Sequence, residues 1–200
     1  MQVHGGDTNL LLELRDTSLG AGDVRPLITS GIVVDPAGKS LFGVSLAVWA
    51  SSNPFLNFQS DYNGHYRVRW LPLGSDIKPI LVARAEQENL VATHELNQSI
   101  TNLALHLQPA STLAGTVRDP DEKPITNATV ALHMFLDDSG AELARDSVDT
   151  NGAFSFAALP RRGRYDLEIS ASNYRSSKTT ITFSAPSRKE TNVILQSEHP

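Results

Sequence analysis

Apolar and polar residues alternate with a period of two along most of this chain. Successive side chains of a β-strand point to opposite faces, so this alternation predicts half-buried strands. Gly, Pro, Asn and Asp separate the alternating segments, and only residues 140–147 have helical character. The pattern favours an all-β Greek-key sandwich over an α/β fold. In the C-terminal half the alternating apolar positions are Val130, Leu132, Met134, Phe154, Phe156, Leu167, Ile169, Ile181 and Phe183.

The chain contains two copies of one sequence pattern. The segment GIVVDPAGKSLFGVSLAVW, which begins at Gly31, aligns with GTVRDPDEKPITNATVALHM, which begins at Gly115. Further along, SDYNGHYRVRWLP (residues 60–72) aligns with VDTNGAFSFAALP (residues 148–160) after an insertion in the second copy. A repeat on this scale indicates a duplicated structural unit, and each copy has room for about seven strands.

The repeat also predicts the division of the chain. We assign residues 23–109 to a first β-sandwich module and residues 110–200 to a second. Both copies end on Thr-Asn followed by alternating apolar residues, and Asp7 begins a similar segment, DTNLLLEL, near the N-terminus. Residues 1–22 are therefore interpreted as the closing strand of a preceding module, a strand lent to a neighbour, or a linker. The alternative is chance recurrence of ordinary strand sequence.

The junction between the copies is short, so the modules are expected to lie end to end with restricted freedom. Within each copy, Asp-Pro suits a tight turn, and Asn63-Gly64 with its counterpart Asn151-Gly152 suits a hairpin. Asp61 and Asp149 precede these Asn-Gly pairs and are interpreted as turn residues. The alternative is a calcium site, but each turn supplies far fewer oxygens than calcium needs.

The two copies resemble the carboxypeptidase regulatory-like domain. They are also similar to the collagen-adhesin B-type repeat, and both families imply a seven-stranded sandwich of transthyretin-like type. The resemblance rests on the G-x-V-x-D segment, the D-x-N-G turn and a Tyr-x-Leu-x-Ile strand at Tyr165, and it spans about residues 28–197. The first copy departs from it at Ser40, where proline is usual, and at residues 75–79. The resemblance implies a fold and leaves the activity open.

Composition narrows the possible partners. The formal charge of −5 and a pI near 5.6 give no attraction for phosphate backbones or anionic lipids, so neither nucleic acid nor a membrane surface is expected as partner. No apolar run is long enough to span a bilayer, and the N-terminal residues lack the pattern of a targeting signal. The absence of cysteine excludes disulfides and thiolate sites.

The residues that carry chemistry are scattered. The six histidines lack the spacing of zinc ligands, and the segment GVSLA at Gly43 lacks the last glycine of a nucleophile elbow. We therefore predict no catalytic residues, no metal and no cofactor. Arg161, Arg162 and Arg164 cluster on one predicted loop, which favours either a solvated turn or docking of an acidic partner.

Aromatic residues of the first copy form the best candidate binding site. Leu46 and Val48 share the parity of the core, which places Trp49 on the opposite, solvent-facing side of its strand. The predicted ligand-binding residues are Trp49, Phe55, Phe58 and Tyr62. Together they would form a platform for a sugar ring or a partner surface. The alternative is that these rings cap an open end of the sandwich or contact a neighbouring module. Trp70 has the parity of core residues.

These observations predict a non-catalytic spacer within a longer, extracytoplasmic protein, secreted, periplasmic or on the cell surface. Its expected partners are neighbouring domains of the same polypeptide, which it would present or stabilise. The competing hypothesis is an adhesive module that binds a glycan or a surface protein through the aromatic residues of the first copy.

Overall fold

The computed structural model describes residues 25–49, 58–71, 78–136 and 139–198. Within these ranges the chain forms fifteen β-strands and no helix, so the predicted all-β class is confirmed. No described segment is a helix long and apolar enough to cross a membrane. The predicted closing strand or linker of residues 1–22 lies outside the described residues.

Each copy of the repeat contributes seven strands, and one further short strand lies at the junction. The strands of the first copy are β1 (Leu27–Val34), β2 (Ser45–Trp49), β3 (Phe58–Gln59), β4 (His65–Trp70), β5 (Ile80–Ala85), β6 (Leu90–Glu95) and β7 (Ile100–His106). The junction strand is β8 (Gln108–Pro109). The strands of the second copy are β9 (Ser111–Arg118), β10 (Thr129–Leu136), β11 (Ser139–Ser147), β12 (Ala153–Leu159), β13 (Arg164–Ser170), β14 (Ser177–Thr182) and β15 (Arg188–Ile194).

The two copies share one topology. In the first, a sheet of order β4-β1-β7 faces a sheet of order β3-β2-β5-β6, which β8 extends at its edge. In the second, β12-β9-β15 faces β11-β10-β13-β14. The first and last strands of each copy, β1 with β7 and β9 with β15, pair in parallel, and all other pairs are antiparallel. The prediction of two tandem seven-stranded sandwiches is confirmed.

Each sandwich has its own apolar core. In the first, Leu46, Val48, Tyr66, Val68 and Trp70 are buried together, as their parity predicted. The indole N–H of Trp70 donates to the Thr29 hydroxyl at 3.1 Å, which satisfies its one polar group. The second core includes Leu113, Val130, Leu132, Met134, Phe154, Phe156, Tyr165, Leu167 and Ile169.

The glycines that open the repeat allow the parallel strands to approach closely. A Cβ on Gly31 would lie 1.9 Å from the carbonyl oxygen of Leu103, and one on Gly115 would lie 1.8 Å from that of Thr191. Both distances are far inside van der Waals contact, so each position accepts only glycine.

The predicted turns form, but they join different sheets. Asp61 Oδ1 accepts N–H bonds from Asn63 and His65, and Gly64 takes a positive φ of 78°. The Asn63 backbone does not share that positive φ, unlike the primed turn that Asn-Gly favours. The hairpin prediction is wrong, because β3 and β4 belong to opposite sheets and the turn is the corner between them. The Asp149 turn joins β11 and β12 across the second sandwich in the same way.

Two other local expectations are wrong. Residues 140–147, which have helical character, lie in β11, because pairing along β10 outweighs local preference. The shared Thr-Asn motif is not structurally equivalent in the two copies. Leu107 and Leu195 are equivalent, because each donates its N–H to the last residue of the first strand of its copy. Asn102 lies five residues before Leu107, whereas Asn192 lies only three residues before Leu195, so the two asparagines occupy different positions along the paired strands. Asn102 has a positive φ of 63°, close to the register shift between β1 and β7.

Candidate functional site at the module interface

Strand β5 is buried on both faces, unlike the half-buried strands that surround it. Leu81, Ala83 and Ala85 face the first core. Ile80 and Val82 face the other way and belong to the same continuous apolar cluster as the second core. The second module therefore covers the outer face of this sheet, and the contact goes beyond the end-to-end junction expected from the sequence.

Trp49 lies in this interface. Its side chain is on the face opposite Leu46 and Val48, as predicted, but only 5% of its surface is exposed. The expectation of a solvent-facing tryptophan is therefore wrong, because that face is covered by the second module. The burial matches the alternative of contact with a neighbouring module. The indole N–H is buried and has no hydrogen-bond partner among the described residues.

Arg84 connects the two modules through main-chain groups. Its Nε donates to the Ala158 carbonyl at 3.1 Å and its Nη2 to the Ala157 carbonyl at 2.9 Å. Glu86 lies 3.1 Å from the same guanidinium and balances its charge. Burial lowers the pKa of Arg84, and the charge of Glu86 opposes that shift. A buried arginine is stabilised only where its donors are satisfied, which these contacts provide.

A bulge in β12 presents those carbonyls. The pairing of β12 with β9 shifts register between Phe156 and Leu159, and Ala158 within the bulge has a positive φ of 55°. The Ala158 N–H donates to Asn89 Oδ1 of the first module at 2.8 Å. Both main-chain groups of the bulge residue thus bond across the interface, which holds Ala158 in a conformation that costs energy for any residue but glycine.

Asn89 also anchors the junction. Its Nδ2 donates to the Ala110 carbonyl at 3.2 Å, and the Thr112 hydroxyl donates to its Oδ1 at 3.2 Å. The Asn89 backbone has a φ of 52°, which asparagine tolerates better than most residues. One side chain therefore bonds the junction, the first strand of the second module and the β12 bulge.

The predicted arginine cluster is divided among three roles. Arg162 donates to Glu95 of the first module at 2.6 Å, and that hydrogen bond lowers the pKa of Glu95. Arg164 lies over the Phe135 ring at 4.5 Å. Arg161 is exposed and lines a cleft of about 590 Å³ between the modules. The loop is thus part of the module contact, in addition to being solvated.

The structure does not bring the four predicted aromatic residues to one exposed surface. Trp49 is buried in the interface, and Phe58 is half-buried against the first core. Phe55 lies outside the described residues. Tyr62 is exposed over 84% of its surface and stacks on Phe42, with ring centroids 4.4 Å apart and planes 5° from parallel.

Phe42 was missed in the sequence, although a signal existed. It is 62% exposed, and the equivalent positions in the second copy are Thr126 for Phe42 and Thr150 for Tyr62. A large apolar side chain that replaces threonine at a turn in one copy only is a sign of a role specific to that copy.

The carboxylates of the two predicted turns accept hydrogen bonds from backbone N–H groups. Asp149 Oδ1 accepts N–H bonds from Asn151 and Ala153, each at 2.8 Å, as Asp61 does in the first copy. These bonds lower the pKa of Asp149, that from Ala153 most strongly. Within the described residues no three His, Asp or Glu side chains are grouped to hold a metal ion.

The described residues thus form two seven-stranded sandwiches of one topology, and comparison with known proteins gives a family match for the second of them. Residues 112–196 match the model of the carboxypeptidase regulatory-like domain, which confirms the predicted resemblance for the second module. No curated protein matches the chain significantly in sequence.

Three solved structures illustrate the similarity. The Bacillus anthracis TIE protein is 16% identical over 86% of this chain and 34% of its own, with a TM-score of 0.40. A streptococcal ancillary pilin is 14% identical over 90% of this chain and 64% of its own, with a TM-score of 0.36. The shaft pilin SpaA from Lactobacillus rhamnosus GG is 8% identical over 88% of this chain and 99% of its own, with a TM-score of 0.40. This chain therefore matches less than two thirds of the length of the first two of these proteins.

Proposed function

We propose that this chain is a non-catalytic spacer whose two modules are locked at a fixed angle. In this proposal it is part of a longer extracytoplasmic protein and presents or stabilises a neighbouring domain. The observation that carries the proposal is the interface, in which Arg84 and Asn89 bond the β12 bulge while apolar residues of β2, β5 and β6 join the second core. A flexible tether between modules would need none of these contacts.

The architecture supports a mechanical role. Each sandwich has its own core and adds a fixed length, and the buried contact between them resists bending. The interface combines apolar burial with directional hydrogen bonds, so it defines one orientation.

Residual dipolar couplings measured on the whole chain test this proposal. A rigid spacer requires both modules to report one common alignment tensor. Separate tensors of different magnitude for residues 27–106 and 111–194 would exclude it. Arg84→Ala should increase the difference between the two tensors, and Arg67→Ala, on an exposed position of β4, is the matched control.

The proposed location and partners require a separate test. Sequencing the reading frame on both sides of this segment should reveal an export signal and at least one further domain. An intact reading frame that encodes neither would remove this part of the proposal.

A second candidate function is adhesion to a glycan or a surface protein. The stacked pair of Phe42 and Tyr62 favours it, because the pair is exposed and exists in the first copy only. Exposed aromatic rings offer large contact area at little conformational cost. A glycan array probed with the chain and with a Phe42→Ser/Tyr62→Ser variant tests it. Binding that the variant abolishes at unchanged melting temperature supports adhesion, and absence of binding by the unmodified chain rejects its glycan form.

A further inference from the structure

The cleft between the modules lies beside an edge of strand β6 that is only partly paired. On the side of β6 away from β5, pairing is limited to Leu90 with Pro109 and Val91 with Gln108 of β8. Beyond Val91 no described strand pairs with this edge. β8 ends there because the chain arriving from β7 belongs to the opposite sheet and joins β6 for two residues only.

Alternate main-chain groups of this edge point away from β5, toward the side on which β8 pairs. The Leu96 N–H donates to the Pro79 carbonyl at 2.7 Å, so Leu96 is bonded toward β5. In an antiparallel pair the bonded residues alternate, so the N–H and C=O groups of Thr93 and Glu95 point away from β5. Ala92 and Thr93 line the cleft.

The lining of the cleft combines apolar, neutral polar and cationic residues. Its volume of about 590 Å³ is in the range of ligand sites. Among the described residues that line the cleft, the charged or titratable ones are Arg161, Arg162 and His106, and none of them is a carboxylate, although the chain as a whole carries a formal charge of −5. Glu95 pairs with Arg162 from beside the cleft.

The walls are held in place before any ligand arrives. The buried Tyr165 hydroxyl donates to the Pro160 carbonyl at 2.6 Å and fixes the start of the loop that carries Arg161. Phe183, another residue that lines the cleft, packs edge-on against the same Tyr165 with ring centroids 5.6 Å apart. A preformed wall lowers the ordering cost of binding.

We propose that this cleft binds an extended acidic peptide segment of a partner protein by β-strand addition to β6. Two residues of the segment would bond the Thr93 and Glu95 main chain, and a carboxylate would pair with Arg161. The unpaired edge favours a peptide over a sugar or a free anion, because only a peptide supplies alternating donors and acceptors at strand spacing. The cationic lining selects acidic side chains.

The test uses the whole chain and three acetylated synthetic peptides. The first alternates glutamate with valine, the second has lysine in place of glutamate, and the third is the first peptide with N-methyl groups on alternate amides. Calorimetry measures affinity, and amide shifts of Thr93 and Glu95 report edge pairing. The glutamate peptide should bind and shift both amides, while the lysine and N-methylated peptides should bind at least about tenfold more weakly.

Variants locate the site. Arg161→Gln should weaken the glutamate peptide by about tenfold or more, and binding should fall with added salt. Arg67→Gln, which removes an exposed arginine elsewhere, should leave the affinity unchanged. The proposal is overturned if the glutamate peptide fails to saturate by about 1 mM. Equal binding by the N-methylated peptide, indifference to Arg161→Gln, or equal affinity for glucuronate alone would also overturn it.

Discussion

Arg84 of the first module and Ala158 of the second are joined by a hydrogen bond of 3.1 Å, although 74 residues separate them in the chain. The bond is buried and has a companion from the same guanidinium to Ala157 at 2.9 Å. A single side chain therefore supplies two directional contacts between the sandwiches.

Arg84→Ala should lower the free energy of unfolding by about 2–3 kcal/mol, because it leaves two interface carbonyls without their charged donor. Arg84→Lys should recover part of the loss, since a lysine ammonium cannot reproduce the paired geometry of the guanidinium. Urea unfolding followed by fluorescence measures both. A loss for Arg84→Ala no larger than that of the control Arg67→Ala would contradict a role in locking the modules.

Two substitutions of Trp49 distinguish the contribution of its apolar packing from the cost of its unpaired indole N–H. Trp49→Ala should cost about 3–5 kcal/mol, because it opens a cavity in the interface. Trp49→Phe should cost much less, since it removes a buried N–H that has no partner among the described residues. Thermal unfolding of both variants measures the difference. The exposed Phe42→Ala is the control, and a similar cost for Phe42→Ala and Trp49→Ala would refute the interface assignment.

The repeat-opening glycines should tolerate no side chain. Gly31→Ala and Gly115→Ala place a Cβ within 1.9 Å of a backbone carbonyl oxygen, so each should destabilise its module by more than about 3 kcal/mol. Gly38→Ala is the matched control, because its Cβ would meet open space and its cost of about 1–2 kcal/mol comes from a φ of +83° alone. Thermal unfolding of the three variants, followed by circular dichroism, measures these losses of stability. Equal losses at all three positions would show that close strand approach is not the cause.

The stability of the second module should depend on the ionisation of Asp149. Its folded pKa lies below the ordinary value of 3.8, because two backbone N–H groups bond its carboxylate. A depressed folded pKa contributes stability that is present above the unfolded pKa and is lost as pH falls through the folded pKa. The stability advantage over Asp149→Asn should therefore persist near pH 7 and shrink as the pH falls below about 4.

Urea unfolding of the wild-type chain and Asp149→Asn across this pH range measures the effect. Asp121→Asn, at an exposed turn position, is the control for a general charge effect. An advantage for Asp149 that is constant down to pH 2 would be inconsistent with this account.

The two modules should differ when they are separated. In residues 110–200 the corresponding sheet face carries His133, Asp166 and Glu168, so that face should not drive association of this module. Residues 23–109 would expose Trp49, Ile80 and Val82 at the corresponding positions and should associate or bind a hydrophobic dye. Light scattering and dye fluorescence measure this difference.

A triple variant of the isolated first module tests the cause. Trp49→His, Ile80→Asp and Val82→Glu copy the polar residues of the second module onto the same face and should suppress association. If the folded triple variant still associates, a surface other than Trp49, Ile80 and Val82 causes the association.

Local pattern was sufficient to predict the fold. Alternation placed Leu46, Val48 and Trp70 in the core, since a side chain's face follows directly from strand periodicity. The Asp-based turns were also predictable, because aspartate bonds backbone N–H groups within four residues. The repeat itself predicted the duplicated topology.

The interface was not predictable, because it depends on which face meets another module. The run of residues 80–83, Ile-Leu-Val-Ala, lacks alternation, and that was the available signal that β5 is covered on both sides. No pattern near Arg84 in the sequence predicts its hydrogen bonds to the bulge in β12. The helical character of residues 140–147 was misleading, because this segment pairs with β10 as a strand.

Local patterns in the sequence therefore predicted most of the strands, the aspartate-bonded turns and the faces that form the two cores, because each follows from periodicities and contacts within a few residues. The burial of Trp49, the contact of Arg84 with the second module and the stacking of Phe42 on Tyr62 became visible in the folded chain alone. Those relationships arise when separate segments meet, and their free energy depends on distances that no local pattern contains.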